Sequence, residues 1–223
     1  MAKIVLIRAA RTDYDDQRRV LGNLDMPVNE RGSDEIVETI SVLADRGINP
    51  EVILTSPDDP ANRTAHDVAS AIGHIKVREL DEFRNVNQGL WQGLCKDDVR
   101  KRYPRMFRNG RESGVAICPP EGESLSEACQ RLEKILEKSL RKYDVFAVVA
   151  PEPLATVIRC TLQQRHPKST DCLCGEDVAE SVAVVDTDSF DADHFMAGED
   201  TNALHAVRTD ATVEERMDQG KKA

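Results

Sequence analysis

Apolar residues fall into two rhythms along this chain of 223 residues. Short runs at Lys3 to Ile7, Val52-Ile53-Leu54, Ile75 to Val77 and Val145 to Ala150 predict strands. The last of these has no polar alternation, the pattern of a strand covered on both faces. Between the runs, apolar residues recur at helical spacing. Glu30 to Asp45 follows the turn Asn29-Glu30-Arg31-Gly32 and lines up Ile36, Ile40, Val42 and Leu43. Ala61 to Ile72, Lys96 to Tyr103 and Leu154 to Gln164 predict further helices, with Pro104 breaking the second of them. Ser124 to Tyr143 carries a capping box, Ser124 with Glu127, ahead of the stripe Ala128, Leu132, Ile135, Leu136 and Leu140. Val182 to Val185 predicts a last edge strand. Strands alternating with helices predict an α/β fold, a three-layer α/β/α sandwich around a mostly parallel sheet.

Composition narrows the picture. The chain is 40% hydrophobic and 31% charged, as expected of one main globular domain. Its net charge of −10 is concentrated: residues 175–223 hold 13 Asp and Glu against 4 Lys and Arg. We therefore expect a domain over residues 1–200 and an acidic, polar tail over 201–223. The charge argues against a nucleic-acid partner, and no stretch has the roughly 20 apolar residues of a membrane span. The opening segment is too short in apolar residues for a signal-peptide core, so a cytoplasmic location is the expectation. Six scattered cysteines suit reduced thiols. Cys172 and Cys174 lack a second ligand pair nearby, so neither a metal nor a cofactor is expected.

Four blocks then carry a resemblance. They are Arg8-Ala9-Ala10-Arg11-Thr12 with Gly22, Asp25, Pro27 and Gly32; Ser56-Pro57 to Arg63-Thr64-Ala65; Leu80-Asp81-Glu82 with Gly89-Leu90-Trp91-Gln92-Gly93; and Pro120-Glu121-Gly122-Glu123-Ser124. In this order and at these distances the chain resembles the histidine phosphatase superfamily, which implies a phosphoglycerate mutase-like fold. The resemblance also implies a site. In the family, a histidine after the first arginine attacks the phosphoryl group and carries it covalently. A second arginine and a second histidine stabilise the moving charge, and an acid protonates the leaving group.

Carried across position by position, the resemblance leaves Arg8 in place and puts Ala9 where the nucleophile belongs. The second arginine falls on Pro60 and the second histidine on Pro151, beside Glu152. The acid maps onto Glu82, or onto Asn85 if the four-residue distance to Gly89 decides; Glu82 is the favoured assignment. Alanine and proline offer neither lone pair nor donor, so phosphohistidine catalysis is not expected. Arg8, Arg11, Thr12, Arg63 and Glu82 are the candidates for binding a ligand. The expectation is a pseudophosphatase that binds a phosphate, a phosphoester or a protein partner. The alternative is an active phosphatase or mutase-like enzyme with a relocated group such as His66. A third reading gives the function to the acidic tail. Trp91 reads as a packing anchor.

Overall fold

The computed structural model describes residues 2–113, 117–163 and 181–186. The expected acidic tail, Gln164 and the Cys172/Cys174 pair lie outside the described residues.

The chain forms an α/β fold around a five-stranded sheet of order β3-β2-β4-β1-β5. Its strands are β1 (Lys3–Arg8), β2 (Val52–Thr55), β3 (Lys76–Glu79), β4 (Val145–Ala150) and β5 (Val182–Asp186). The first four run parallel and β5 pairs antiparallel to β1, with Val5 opposite Ala147 on one side and Val184 on the other. This is the mostly parallel sheet predicted from the apolar runs.

Alternation along the strands assigns the two faces. Val5, Ile7, Ile53, Ala147 and Val149 pack with Ile36 and Leu43 of α2 (Glu30–Asp45) and with Ala61, Ala65 and Val68 of α3 (Ala61–Ala71). The opposite face carries α7 (Leu154–Leu162), which touches β1 and β4 and packs against α6 (Leu125–Leu140). Phe146, Leu132, Leu136, Leu154 and Ile158 are fully buried, so both faces of the middle strands are covered. The Ser124 box holds as predicted: the hydroxyl accepts from Glu127 N while Glu127 accepts from Ser124 N at 2.8 Å.

Two helices were not read from the sequence. One is the single turn α1 (Asp13–Asp16), capped reciprocally by Thr12 and Asp15. The other follows Pro104: α4 (Lys96–Arg102) ends, and α5 (Pro104–Ser113) begins on the proline itself. Proline at a first helical position lacks only an N–H that would have no intrahelical partner, so it starts a helix as readily as it stops one. Around α4 and α5 a second cluster forms on Trp91, which is fully buried together with Val99 and beside the buried Ile117; its indole stacks on Phe107 with ring centres 5.8 Å apart.

Candidate functional site at the strand ends

Because β1 to β4 are parallel, the loops that leave them emerge along one edge, where ligands sit in open α/β folds. Ala9 follows β1, Pro60 follows β2, Asn85 follows β3, and Pro151 with Glu152 follows β4.

At β1, Ala9 N donates to Ala150 O at 2.9 Å, which seats the first rim residue beside the last residue of β4. Ala10 N donates to the Thr64 hydroxyl at 3.0 Å, and that hydroxyl donates to Pro60 O at 2.7 Å. Thr64 therefore ties the β1 and β2 loops together. Ala9 is only 6% exposed and presents a methyl group where the resemblance implies an imidazole.

The cations retained here are already paired. Arg8 Nη2 lies 3.3 Å from Glu35 Oε1, and Arg11 Nε donates to the same oxygen at 2.8 Å. Arg11 N donates to Glu35 Oε2 at 3.0 Å. The hydrogen bond to Glu35 is the main cause that raises the Arg11 pKa above its ordinary value. A cavity of about 170 Å³ beside this group is lined by Arg8, Ala10, Glu35, Glu38, Thr39 and Thr64, among others. Two carboxylates there face one guanidinium, a balance unfavourable to an anion.

Glu35 was missed by sequence reasoning, although a signal exists. A Cβ on Gly32 would lie 2.3 Å from Arg11 O, so glycine marks the place where α2 meets the Arg11 backbone. Glu35 comes three residues later on the helix, one turn away.

The β2 loop supplies acids in place of a donor. Pro60 begins α3 without a side-chain cap, and the Asp59 carboxylate accepts from Arg63 N at 3.0 Å. Asp59 N donates to Asp25 Oδ1 at 2.9 Å, and Asp58 pairs with Arg84. The helix N-terminus, a natural place for an anion, thus holds the chain's own carboxylate. Arg63 itself is exposed and pairs with Asp67 one turn further along α3, at 2.5 Å. It does not join Arg8 and Arg11.

The two residues considered for the acid position separate clearly. Glu82 is exposed on a 3-10 turn, Asp81–Phe83. Asn85 is 6% exposed. Its Nδ2 donates to Gly22 O at 2.7 Å and to Glu152 O at 3.0 Å, and its Oδ1 accepts from Val86 N at 2.9 Å and Leu154 N at 3.2 Å. All four bonds of a carboxamide are made, and two of them need donors that an ionised carboxylate lacks. Asn85 thus acts as a clip between three loops. Thr12, also proposed for binding, is fully buried with its hydroxyl bonded to Asp15 at 2.9 Å.

After β4, Pro151 is buried, and Glu152 Oε2 accepts from Thr156 N at 3.2 Å and Thr156 Oγ1 at 2.7 Å. The other Glu152 oxygen is buried with no partner among the described residues. His66 bonds Glu79 at 3.1 Å on the outer strand β3, and both are exposed. Among the described residues no group of three His, Cys, Asp or Glu is placed to hold a metal, and no helix is long and apolar enough to cross a membrane.

A mostly parallel sheet with its loops gathered at the ends of β1, β2, β3 and β4 defines an α/β protein of the phosphoglycerate mutase-like kind. The sequence profile of the histidine phosphatase superfamily (branch 1) matches residues 4–196, and the chain belongs to that family. It is 27% identical to phosphoserine phosphatase 1 of Hydrogenobacter thermophilus over 143 residues, covering 64% of this chain and 66% of that protein. It is 31% identical to the uncharacterized phosphatase PhoE of Bacillus subtilis over 143 residues, covering 64% and 67%. This chain thus spans about two thirds of the length of these two relatives. A mycobacterial glucosyl-3-phosphoglycerate phosphatase, solved with VO3, superposes with a TM-score of 0.67 at 24% identity over 78% of this chain and 86% of that one, a likeness of fold.

Proposed function

We propose that this protein is a catalytically silent histidine phosphatase-like protein that works by binding. The observation that carries this reading is the side chains at the family's positions: Ala9, Pro60 and Pro151 offer neither nucleophile nor cation, and of the two candidates for the acid Glu82 is exposed and Asn85 is a carboxamide bonded between loops. Removing the nucleophile from a covalent mechanism costs on the order of a millionfold in rate, and lost charge-stabilising donors cost about 10²- to 10³-fold each. Between the two kinds of ligand expected from the sequence, a protein partner fits better than a phosphoester. Arg8 and Arg11 are held by Glu35, and the loops that leave β2 and β4 add the carboxylates Asp58, Asp59 and Glu152.

The competing reading, an active phosphatase or mutase-like enzyme with a relocated group, is favoured by the activities in the relatives' names. It needs a nucleophile within reach of the rim, and His66 is hydrogen-bonded to Glu79 at the outer strand. Steady-state assays with p-nitrophenyl phosphate and phosphoserine test the proposal. The expected result is no turnover above a sample carrying Arg8→Ala and Glu35→Ala. Turnover that disappears in that variant would remove the proposal. Phosphate and vanadate are expected to leave the melting temperature unchanged, whereas a ligand at about 100 times its Kd stabilises by about 2.7 kcal/mol.

A further inference from the structure

Residues 96–113 carry seven Lys and Arg against three Asp and Glu, in a chain whose net charge is −10. The fold turns this charge outward. Tyr103, Met106 and Phe107 pack toward Trp91, with the Tyr103 and Trp91 ring centres 5.6 Å apart. The other side of α4 and α5 therefore exposes Lys101, Arg102, Arg105 and Arg108. Lys101 and Arg102 stand at the end of α4 and Arg105 and Arg108 on α5, a basic ridge on either side of the bend at Tyr103-Pro104. Asp97 is drawn to Arg18 and Arg100, each at 3.8 Å. Lys101, Arg102 and Arg108 make no ion pair with any described residue.

We propose that this ridge is a docking surface for an acidic or phosphorylated segment of a partner protein. Clustered guanidinium groups receive carboxylates and phosphoryl groups in fixed, often bidentate geometry, the recognition mode of proteins that bind acidic motifs. A membrane surface fits less well. Among the described residues the large hydrophobics left exposed are Val37, Leu90 and Val184, none on the ridge, so no described apolar anchor accompanies the charge. A nucleic-acid duplex, with a charge about every 1.7 Å, would extend past the ridge onto an otherwise acidic molecule. None of the strand-end residues belongs to the ridge, so the proposal stands or falls separately from the loss of turnover.

Fluorescence anisotropy with the full chain tests it, using fluorescein-labelled deca-glutamate and deca-serine as probes. Deca-glutamate is expected to bind, deca-serine not, and raising salt from about 50 to about 500 mM to weaken the complex. The triple variant Lys101→Glu, Arg102→Glu, Arg108→Glu is expected to bind at least roughly tenfold more weakly, the effect of three exposed charges at several tenths of a kcal/mol each. Circular dichroism reports whether that variant folds, and the corresponding triple Gln variant serves if it does not. Undiminished binding by a folded variant, or no binding by the parent chain, would overturn the proposal. So would tighter binding of a DNA duplex of about 20 base pairs or of phosphatidylserine vesicles than of deca-glutamate.

Discussion

The glycine turn at Gly89-Leu90-Trp91 and the rim at the strand ends both fall on positions of the family's pattern, yet their side chains have different work. At the turn, packing and backbone contacts are close. Gly89 has φ +48 and sits where a Cβ would lie 2.1 Å from Pro120 O; Trp91 is fully buried, and Glu123 N donates to Asn87 O at 2.8 Å. Arg131 clasps Glu123 through Nε at 2.6 Å and Nη2 at 3.0 Å, and also donates to Arg84 O at 2.8 Å and to Glu82 O. At the rim, by contrast, Ala9, Pro60 and Pro151 have side chains with nothing to donate or accept. Asn85 holds loops together, and the arginines of the first block are paired with a carboxylate. The difference teaches that a motif contains two separable layers. One specifies how the chain turns and packs, and the other does chemistry; on the function proposed above, this protein keeps the first.

The largest effect is expected at the turn. Gly89→Ala forces a side chain into left-handed backbone and onto the Pro120–Gly122 segment, and should cost about 3 kcal/mol or more in urea unfolding. A cost under about 1 kcal/mol would mean that the turn is not the rigid layer described here. Asn85→Ala should cost about 2 kcal/mol, because two buried carbonyls and two amides lose their partner.

Smaller still is an effect of pH. Glu133 is buried on α6 with one oxygen unpartnered, and burial first, then Glu137, raises its pKa. The folded state therefore binds its proton more tightly than the unfolded chain. The folded protein loses stability as pH rises from the ordinary glutamate value through the raised one. Glu133→Gln should remove that slope and stabilise the protein at neutral pH by about 1 kcal/mol or less. Chemical denaturation at several pH values reads it, and an unchanged slope would contradict the assignment. The contrast with Glu35, whose two oxygens are both bonded to cationic or amide donors, is part of the same comparison.

Much of the fold was legible because each element rests on local chemistry. The uninterrupted run Val145 to Ala150 could only be a covered strand, and Ser124 with Glu127 announced a helix start. Pro104 misled because the same ring that ends one helix pre-sets the backbone of the next. The short helix after Thr12 has too few residues for a periodic signal. At the site, Ala9, Pro60 and Pro151 were readable one by one as side chains without donor or lone pair. The contacts made around them were not. Glu35 reaches Arg8 across 27 positions of sequence, and only the folded chain leaves Glu82 exposed on the 3-10 turn and buries Asn85 beyond it.

The central claim is that the rim cannot carry a phosphoryl group. Intact-mass spectrometry at alkaline pH, after incubation with p-nitrophenyl phosphate, tests it most directly, because phosphohistidine survives there. The account expects the unmodified chain mass. A single phosphoryl adduct, mapped to a histidine and lost when that histidine is changed to alanine, would contradict it.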